Sequence, residues 1–553
     1  MLREKIEKLV KNSVNCLTKE SCVSPQKIEI IAKRPPKEEY GDYSVVLRQD
    51  LAKQVQERIE KKKPEFLEKV EFLPPSFLNF YIKKEYFQKE VSDILKKGEK
   101  FGKINIGNKR KANIEFVSAN PTSMPHIGNG RGAFFGDVLA NLLSFSGFKV
   151  EREYYINDAK TSQQIRELGR TAIGKGNTYL TEDLRVKIKK LDKKLSPLRK
   201  NFEANYIIDA ETNILDKDGV IAKSEVSSNK ELGEAGYLLA QEVLGDIKKL
   251  VQKKFKIKFD KWFSEEKNLL KKKRIEKTLD ILKKKKLTYR KEGALWLKTS
   301  KYGDTEDRVL IRSNNQPTYF LSDIAYHIDK IKRGYKKIVD IWGADHHGYI
   351  KRMKAAMHML GYKGEFEVLI SQIVNLKGGE KMSKRAGNIV YLEDLVNEVG
   401  LDVAKYFYIS KSLSSQMEFD LKLAKEQSEK NPVYYIQYAY VRAQSVIKKS
   451  KKAKLKLGSK NLKLLKHKSE LRLIKKLIKF PEIIEDTAND YQLHRLTEYA
   501  RDLASNFNQF YRDCKVLDEE KKLAEVRLFL VFATKIVLSN LLSLMGISRP
   551  EKM

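Results

Sequence analysis

The sequence predicts an α/β protein built on a doubly wound parallel sheet, with a helical insertion, a small α+β unit ahead of the sheet and an all-α region behind it. Three observations support this. The apolar run "ANIEFVS" (112–118) leads through a glycine-rich turn into an apolar helix from about 130 to 145, then into a second strand, "FKVEREYYIND" (148–158). Strand, tight turn, helix and strand in that order form the βαβ unit of such a sheet. Strand-like segments resume after residue 290, and from 431 onward the periodicity is helical throughout.

The elements follow in order. Residues 1–100 open with the amphipathic helix "MLREKIEKLVKNSVNCL"; "GDYSVVLRQDLAKQVQERI" (41–59) reads as a turn entering a helix, "SFLNFYI" (76–82) has strand composition, and "KKGEKFGK" is a polar linker. Residues 101–430 hold the sheet. Within them, 160–260 are charged, mostly helical and poor in motifs, as an insertion between two halves of a sheet would be. The second half resumes with "GALWLKTS", "DRVLIRS", "PTYFLSDIAYHIDK", "KIVDIWGADHHG" and "FEVLISQIVNL". Residues 431–553 begin with a proline-marked helix, "NPVYYIQYAYVRAQSVI", and include a lysine-rich linker or exposed loop at 448–468. The most apolar run, "RLFLVFATKIVLSNLLSLMGI", is interrupted by Lys535, Ser539 and Asn540, which suits a buried helix better than a membrane span.

Composition narrows the class of partner. The 110 Lys and Arg against 73 Asp and Glu leave a formal charge of +37, enough to steer a polyanion such as RNA toward the surface. Long lysine runs can also be plain solvated faces. Three cysteines (Cys16, Cys22 and Cys514) form no CxxC pair, so neither a disulfide framework nor a zinc cage is expected, and a reducing cytoplasm is the simple setting. The N-terminus is charged and amphipathic, unlike a signal peptide.

Two short stretches carry chemistry. In "HIGN" (126–129) and its continuation, Gly128, Gly130 and Gly132 let backbone approach closely at a strand-to-helix turn, where N–H groups and the helix dipole favour a phosphate. The glycines do not form GxGxxG, which argues against a dinucleotide site. His126 can donate to a triphosphate. In "GGEKMSKRAGN" (378–388), Lys381 and Lys384 bracket Met382 and Ser383. Two ammonium groups there can meet the charge that develops as pyrophosphate leaves.

Together these stretches resemble the HIGH and KMSKS signatures of the class I aminoacyl-tRNA synthetases, with their Rossmann-like sheet. "SANPT…HIGNGRG", "YYIND", "PTYFLSDIAYH", "GADHHGY" and "NPVYYIQYA" make the resemblance closest to the bacterial arginyl branch, essentially end to end. By that resemblance, 1–100 is a tRNA-binding domain, 101–430 the catalytic domain and 431–553 a helical anticodon-binding domain. Asn129 stands where HIGH has its second His, and Arg385 where KMSKS has its last Ser. An amide can still donate a hydrogen bond but carries no charge.

A guanidinium is best held by carboxylates that pair with it bidentately. Tyr319 and Asp323 are four apart and share a helix face, with Asp323 the ion-pair partner; the competing reading is a capping or solvent-facing aspartate. The resemblance implies arginine binding by Glu115, Asn120, His126, Tyr319 and Asp323. It implies ATP binding by His126, Gly128, Asn129, Asp345, His346, Lys381, Met382, Ser383 and Lys384, with His126, Asn129, Lys381 and Lys384 catalytic. A metal site at His346 and His347 lacks a third ligand at metal spacing. The expected substrates are L-arginine, ATP as its Mg2+ complex, and tRNA(Arg), whose unpaired bases can stack on Tyr434, Tyr435, Tyr438 or Tyr511. No membrane partner and nothing beyond a monomer is called for. The rival readings are another specificity, a small-molecule nucleotidyltransferase, and a non-catalytic tRNA-binding paralogue.

Overall fold

In a computed structural model of the chain, five parallel strands form the sheet expected from the βαβ pattern. Residues 1–20, 29–212, 224–379, 390–458 and 461–553 are described. They divide into two units, one of residues 105–426 with 492–494, the other of 1–104, 427–491 and 495–553.

The first unit holds the sheet. Its elements are β1 (Lys111–Glu115), α1 (Ile127–Phe145), β2 (Lys149–Ile156), β3 (Lys261–Ser264), α2 (Tyr319–Lys332), β4 (Lys337–Gly343) and β5 (Glu365–Ser371). The strand order is β5-β4-β1-β2-β3, parallel throughout. Connections therefore reverse direction between β1 and β4, which opens a crevice at the carboxyl ends of those strands. Helix α1 is apolar around most of its circumference, burying Phe134, Val138, Leu139, Leu142 and Leu143. It lies so close to the chain leaving β1 that a Cβ on Gly136 would fall 2.3 Å from the Phe116 ring.

The expected insertion is present as helices Gln163–Ala172, Glu182–Lys190, Asp192–Thr212 and Ser224–Lys249. The first and last touch backbone to backbone: a Cβ on Gly236 would meet the Ile165 carbonyl at 1.8 Å, and one on Gly169 the Leu232 carbonyl at 2.0 Å. Strand β3, just beyond the insertion, was not evident in the sequence. "GALWLKTS" and "DRVLIRS" do not join the parallel sheet. Ala294–Leu297 and Arg308–Ile311 pair instead with Thr288–Lys291 in a small antiparallel sheet. Leu297 and Leu310 share a core with Phe320, Leu321 and Ile324 of α2.

In the second unit, strands Tyr43–Val46, Phe77–Ile82 and Leu67–Leu73 form an antiparallel sheet beside helices Leu2–Glu20, Gln49–Lys61 and Lys84–Lys97. A strand thus precedes the helix in the stretch expected to be a turn, because Tyr43–Val46 pairs with Phe77–Phe80. The C-terminal helices pack on this module. Glu482, 2% exposed, receives Arg34 Nε at 3.0 Å and the Tyr43 hydroxyl, Lys475 reaches Asp42 at 2.6 Å, and Asn540 donates to the Phe101 carbonyl at 3.0 Å. Lys521–Leu544 is long and apolar enough to cross a membrane, but two-thirds of its most apolar stretch is buried within the fold.

Candidate active site

Two groups of side chains gather at the carboxyl ends of the strands, and the chain leaving β1 serves both. Glu115 closes that strand. Its Oε2 receives Lys330 Nζ at 2.8 Å and its Oε1 receives the Ser118 hydroxyl at 3.1 Å. Val117 then adopts a left-handed φ of 69° and Ser118 one of 38°. For a β-branched residue this costs on the order of 1–3 kcal/mol, a strain the surroundings must impose. Ser118 supplies the constraint, its hydroxyl accepting the Tyr155 N–H at 3.1 Å. The bent chain crosses the strand ends, where Ala119 accepts the Tyr154 hydroxyl at 2.9 Å and Asn120 Oδ1 accepts Asn157 Nδ2 at 2.8 Å.

The turn that follows starts α1 at Ile127, earlier than glycine content suggested, because His126 and Asn129 cap it reciprocally. His126 Nδ1 accepts the Gly128 N–H at 3.1 Å, and Asn129 Oδ1 accepts the His126 N–H at 3.0 Å. A Cβ on Gly128 would meet the imidazole at 2.8 Å, so only glycine leaves room for the ring over the backbone. His126 is exposed at the crevice, and the surrounding protein atoms lower its pKa by desolvation. The ring is therefore neutral near pH 7, with its proton on Nε2. The turn is also tied to residues 390–392: Ile127 N–H donates to Val390 at 3.0 Å and Leu392 N–H to Pro125 at 2.9 Å. The stretch with Lys381, Met382, Ser383 and Lys384 lies outside the described residues.

The second group surrounds Asp323 on α2. Its carboxylate accepts the Tyr349 hydroxyl at 2.5 Å, and burial raises its pKa to about 6. It neither caps α2, which Thr318 precedes, nor faces open solvent. Beside it stands Glu265, directly after β3 and 5% exposed. Burial, with the neighbouring Asp323 and Asp158 carboxylates, pushes Glu265 up to about 8. Among the described residues neither Asp323 nor Glu265 is paired with a lysine or arginine. Tyr319 is 61% exposed at the start of α2, and Asp345 and His346 are exposed on the 3-10 turn after β4, His346 3.4 Å from Asp345. The His346 ring lies 6.4 Å from that of Tyr349, whose hydroxyl donates to Asp323, so that turn adjoins the Asp323 group.

Beneath both groups runs a buried ion network. Asp340 on β4 takes Lys330 Nζ at 2.7 Å and His327 Nε2 at 2.8 Å, while His327 Nδ1 lies 2.8 Å from the Asp323 carbonyl. Burial opposes ionisation of Asp340, but Lys330 and His327 outweigh it and hold the carboxyl below its usual range. Lys330 joins Glu115 to this hub, which fixes the β1 carboxylate and the α2 backbone together. Sequence reasoning missed Glu265, Asp340, His327 and Lys330; for His327 and Lys330 the polar residues inside "SDIAYHIDK" were the available signal, while Glu265 and Asp340 lie outside that stretch. No group of three His, Cys, Asp or Glu able to hold a metal occurs among the described residues.

Residues 90–411 match the family model for the class I (R) tRNA synthetase catalytic domain, and 436–553 match the DALR anticodon binding domain. The chain belongs to the class I tRNA synthetases. Within that class it is 42% identical to the arginine–tRNA ligase of Carboxydothermus hydrogenoformans over 89% of this chain and 86% of that one. It is 37% identical to that of Citrifermentans bemidjiense over 99% of both. The fold matches Thermus thermophilus arginyl-tRNA synthetase over 100% of both chains, with a TM-score of 0.79 at 21% identity. It is a member of the arginine–tRNA ligase family.

Proposed function

We infer that this chain is the ligase that activates L-arginine with ATP and transfers it to the 3′-terminal adenosine of tRNA(Arg). The observation that carries the amino-acid assignment is the pair Asp323 and Glu265, two buried carboxylates without a cation partner among the described residues. A guanidinium supplies two or more donors and the missing positive charge at once. Glu115, Asn120 and Tyr319 complete the arginine side, and Asp345 and His346 border the nucleotide side.

In the first step an arginine carboxylate oxygen attacks the α-phosphorus of Mg–ATP, forming an O–P bond as pyrophosphate departs. Mg2+ arrives with the nucleotide. His126 donates through Nε2–H, the α1 amides add their dipoles, and Lys381 and Lys384 meet the charge on the leaving group, with Gly128, Met382 and Ser383 shaping the nucleotide contact. The terminal adenosine of tRNA then attacks the adenylate through its 2′-hydroxyl, releasing AMP. Family resemblance adds that the first step requires bound tRNA. For that partner, the helical region offers Tyr438 and Tyr511, 40% and 39% exposed, with the Arg442 guanidinium 4.5 and 5.2 Å from their rings. Stacked aromatics and a cation suit unpaired bases. The enzyme works as a cytoplasmic monomer.

Arginine-dependent ATP–pyrophosphate exchange, run with and without tRNA(Arg), tests this. Exchange with arginine alone among the amino acids, dependent on tRNA, is expected. Tight tRNA binding with no exchange under either condition would support the non-catalytic paralogue instead.

A further inference from the structure

We propose that Asn129 is a positioning residue that acts through His126, rather than a second group touching the nucleotide. This rests on the reading of His126 as a phosphate donor. Asn129 is joined to His126 twice: its Oδ1 accepts the His126 N–H at 3.0 Å, and its own N–H donates to the His126 carbonyl at 2.9 Å. The amide oxygen must face this N–H, because the amide nitrogen cannot accept. On the other arm of the box, His126 Nδ1 accepts from Gly128 at 3.1 Å. An acceptor nitrogen carries no proton, so the single proton of the neutral ring sits on Nε2, the atom left to donate.

The box therefore sets both the tautomer and the direction of the imidazole. Further bonds hold its frame: the Tyr408 hydroxyl donates to the Ile127 carbonyl at 2.7 Å, and residues 125 and 127 pair with 390–392. An asparagine is well suited to this position. Its oxygen accepts at any pH, whereas a histidine at 129 can accept only through an unprotonated nitrogen and would open the box as it charged. Asn129 thus preserves the turn's chemistry through a structural bond, with no titrating group of its own.

The test is a mutant cycle read by arginine-dependent ATP–pyrophosphate exchange on the full chain with tRNA(Arg). Asn129→Ala should lower kcat by ten- to a hundredfold while KM for ATP changes less than about threefold. Asn129→Gln should recover most of the loss, because glutamine at this position also reaches back to the cap. In a His126→Ala background, adding Asn129→Ala should cost less than about twofold. Multiplicative losses in the double variant would overturn the proposal, since they mean that Asn129 acts independently of His126. So would a Gln variant as poor as Ala. A second measurement needs no active variant: 15N spectra of histidine-labelled wild type, with the His126 signal identified by its loss in His126→Gln. An Nε2–H tautomer is expected, and a proton on Nδ1 refutes the box. The spectrum stands even if wild type lacks arginine-dependent exchange, which would defeat the functional reading and not this one.

Discussion

Replacing Glu265 by glutamine should stabilise the protein at alkaline pH while impairing its use of arginine. The folded state holds the Glu265 proton up to about pH 8, against an ordinary value of 4.5, because ionisation there is opposed by burial and by the carboxylates of Asp323 and Asp158. Each tenfold change in proton affinity is worth about 1.4 kcal/mol, so the ionised carboxylate disfavours the free fold by roughly 4–5 kcal/mol. The sign follows from proton counting. Between pH 4.5 and 8 the folded state binds more protons than the unfolded state, so this group's contribution to stability falls as pH rises and levels off above 8. The glutamine amide keeps the shape of the protonated carboxyl and never ionises. Thermal unfolding of wild type and Glu265→Gln should therefore coincide near pH 5 and diverge by several degrees at pH 9, with the variant the more stable. Arginine should close the gap for wild type alone, since its guanidinium pairs with the carboxylate. The KM for arginine in exchange should rise at least tenfold in the variant, as loss of a charge-assisted bond implies. A melting difference that does not change between pH 5 and 9 would refute the reasoning, as would an unaltered KM.

Other expectations follow from the same geometry. Asp323→Ala should abolish measurable dependence on arginine at ordinary concentrations, and an unchanged KM would sink the pocket assignment. Asp340→Asn removes the charge that holds Lys330 and His327, so the unfolding free energy from denaturant titration should fall by about 3 kcal/mol or more, within the range for breaking a buried ion pair. Gly136→Ala drives a methyl to 2.3 Å from the Phe116 ring and should destabilise the sheet unit by about 1–3 kcal/mol in the same assay. Tyr438→Ala with Tyr511→Ala should weaken tRNA binding by tenfold or more in filter-binding titrations without altering KM for arginine; unchanged affinity would remove these rings from the RNA interface.

How much of this could be read from the chain depended on whether a feature is local. The βαβ unit was legible because alternation, glycine turn and apolar helix are adjacent in sequence, and HIGN was legible for the same reason. Its helix started earlier than expected because three glycines in seven residues looked like a loop, whereas the His126–Asn129 cap pays for an early start. Strand β3 escaped notice because it is only four residues long and follows a lysine-rich stretch; its place comes from pairing with Glu153–Ile156 of β2. Glu265 was hidden with it. Nothing in "SEEK" distinguishes a carboxylate aimed into a pocket from one on a solvated face, and only the tertiary approach of α2 makes the difference. Asp323 was found through helical spacing, but its bond to Tyr349 joins residues 26 apart.

On the proposed reading, the arrangement of carboxylates would give the site its selectivity. Below the crevice Glu115 and Asp340 are paired with Lys330, Glu153 with Arg333, and Asp340 also bonds His327. Those pairs fix geometry. Among the described residues Asp323 and Glu265 have no lysine or arginine partner, and their raised pKa values record the cost of burial. A neutral isostere of arginine leaves that cost in place and loses both charge-assisted bonds. Lysine brings a charge as one compact ammonium, without the planar fork that meets two carboxylates together. Sites built around buried polar groups can reject such analogues by about 10⁴ or more without hydrolytic correction. If that reading holds, the helices between β2 and β3 need carry no editing function. On the proposed reading these helices serve a connective role, because arginine would be selected where its guanidinium meets the Asp323 carboxylate and takes the place of the Glu265 proton.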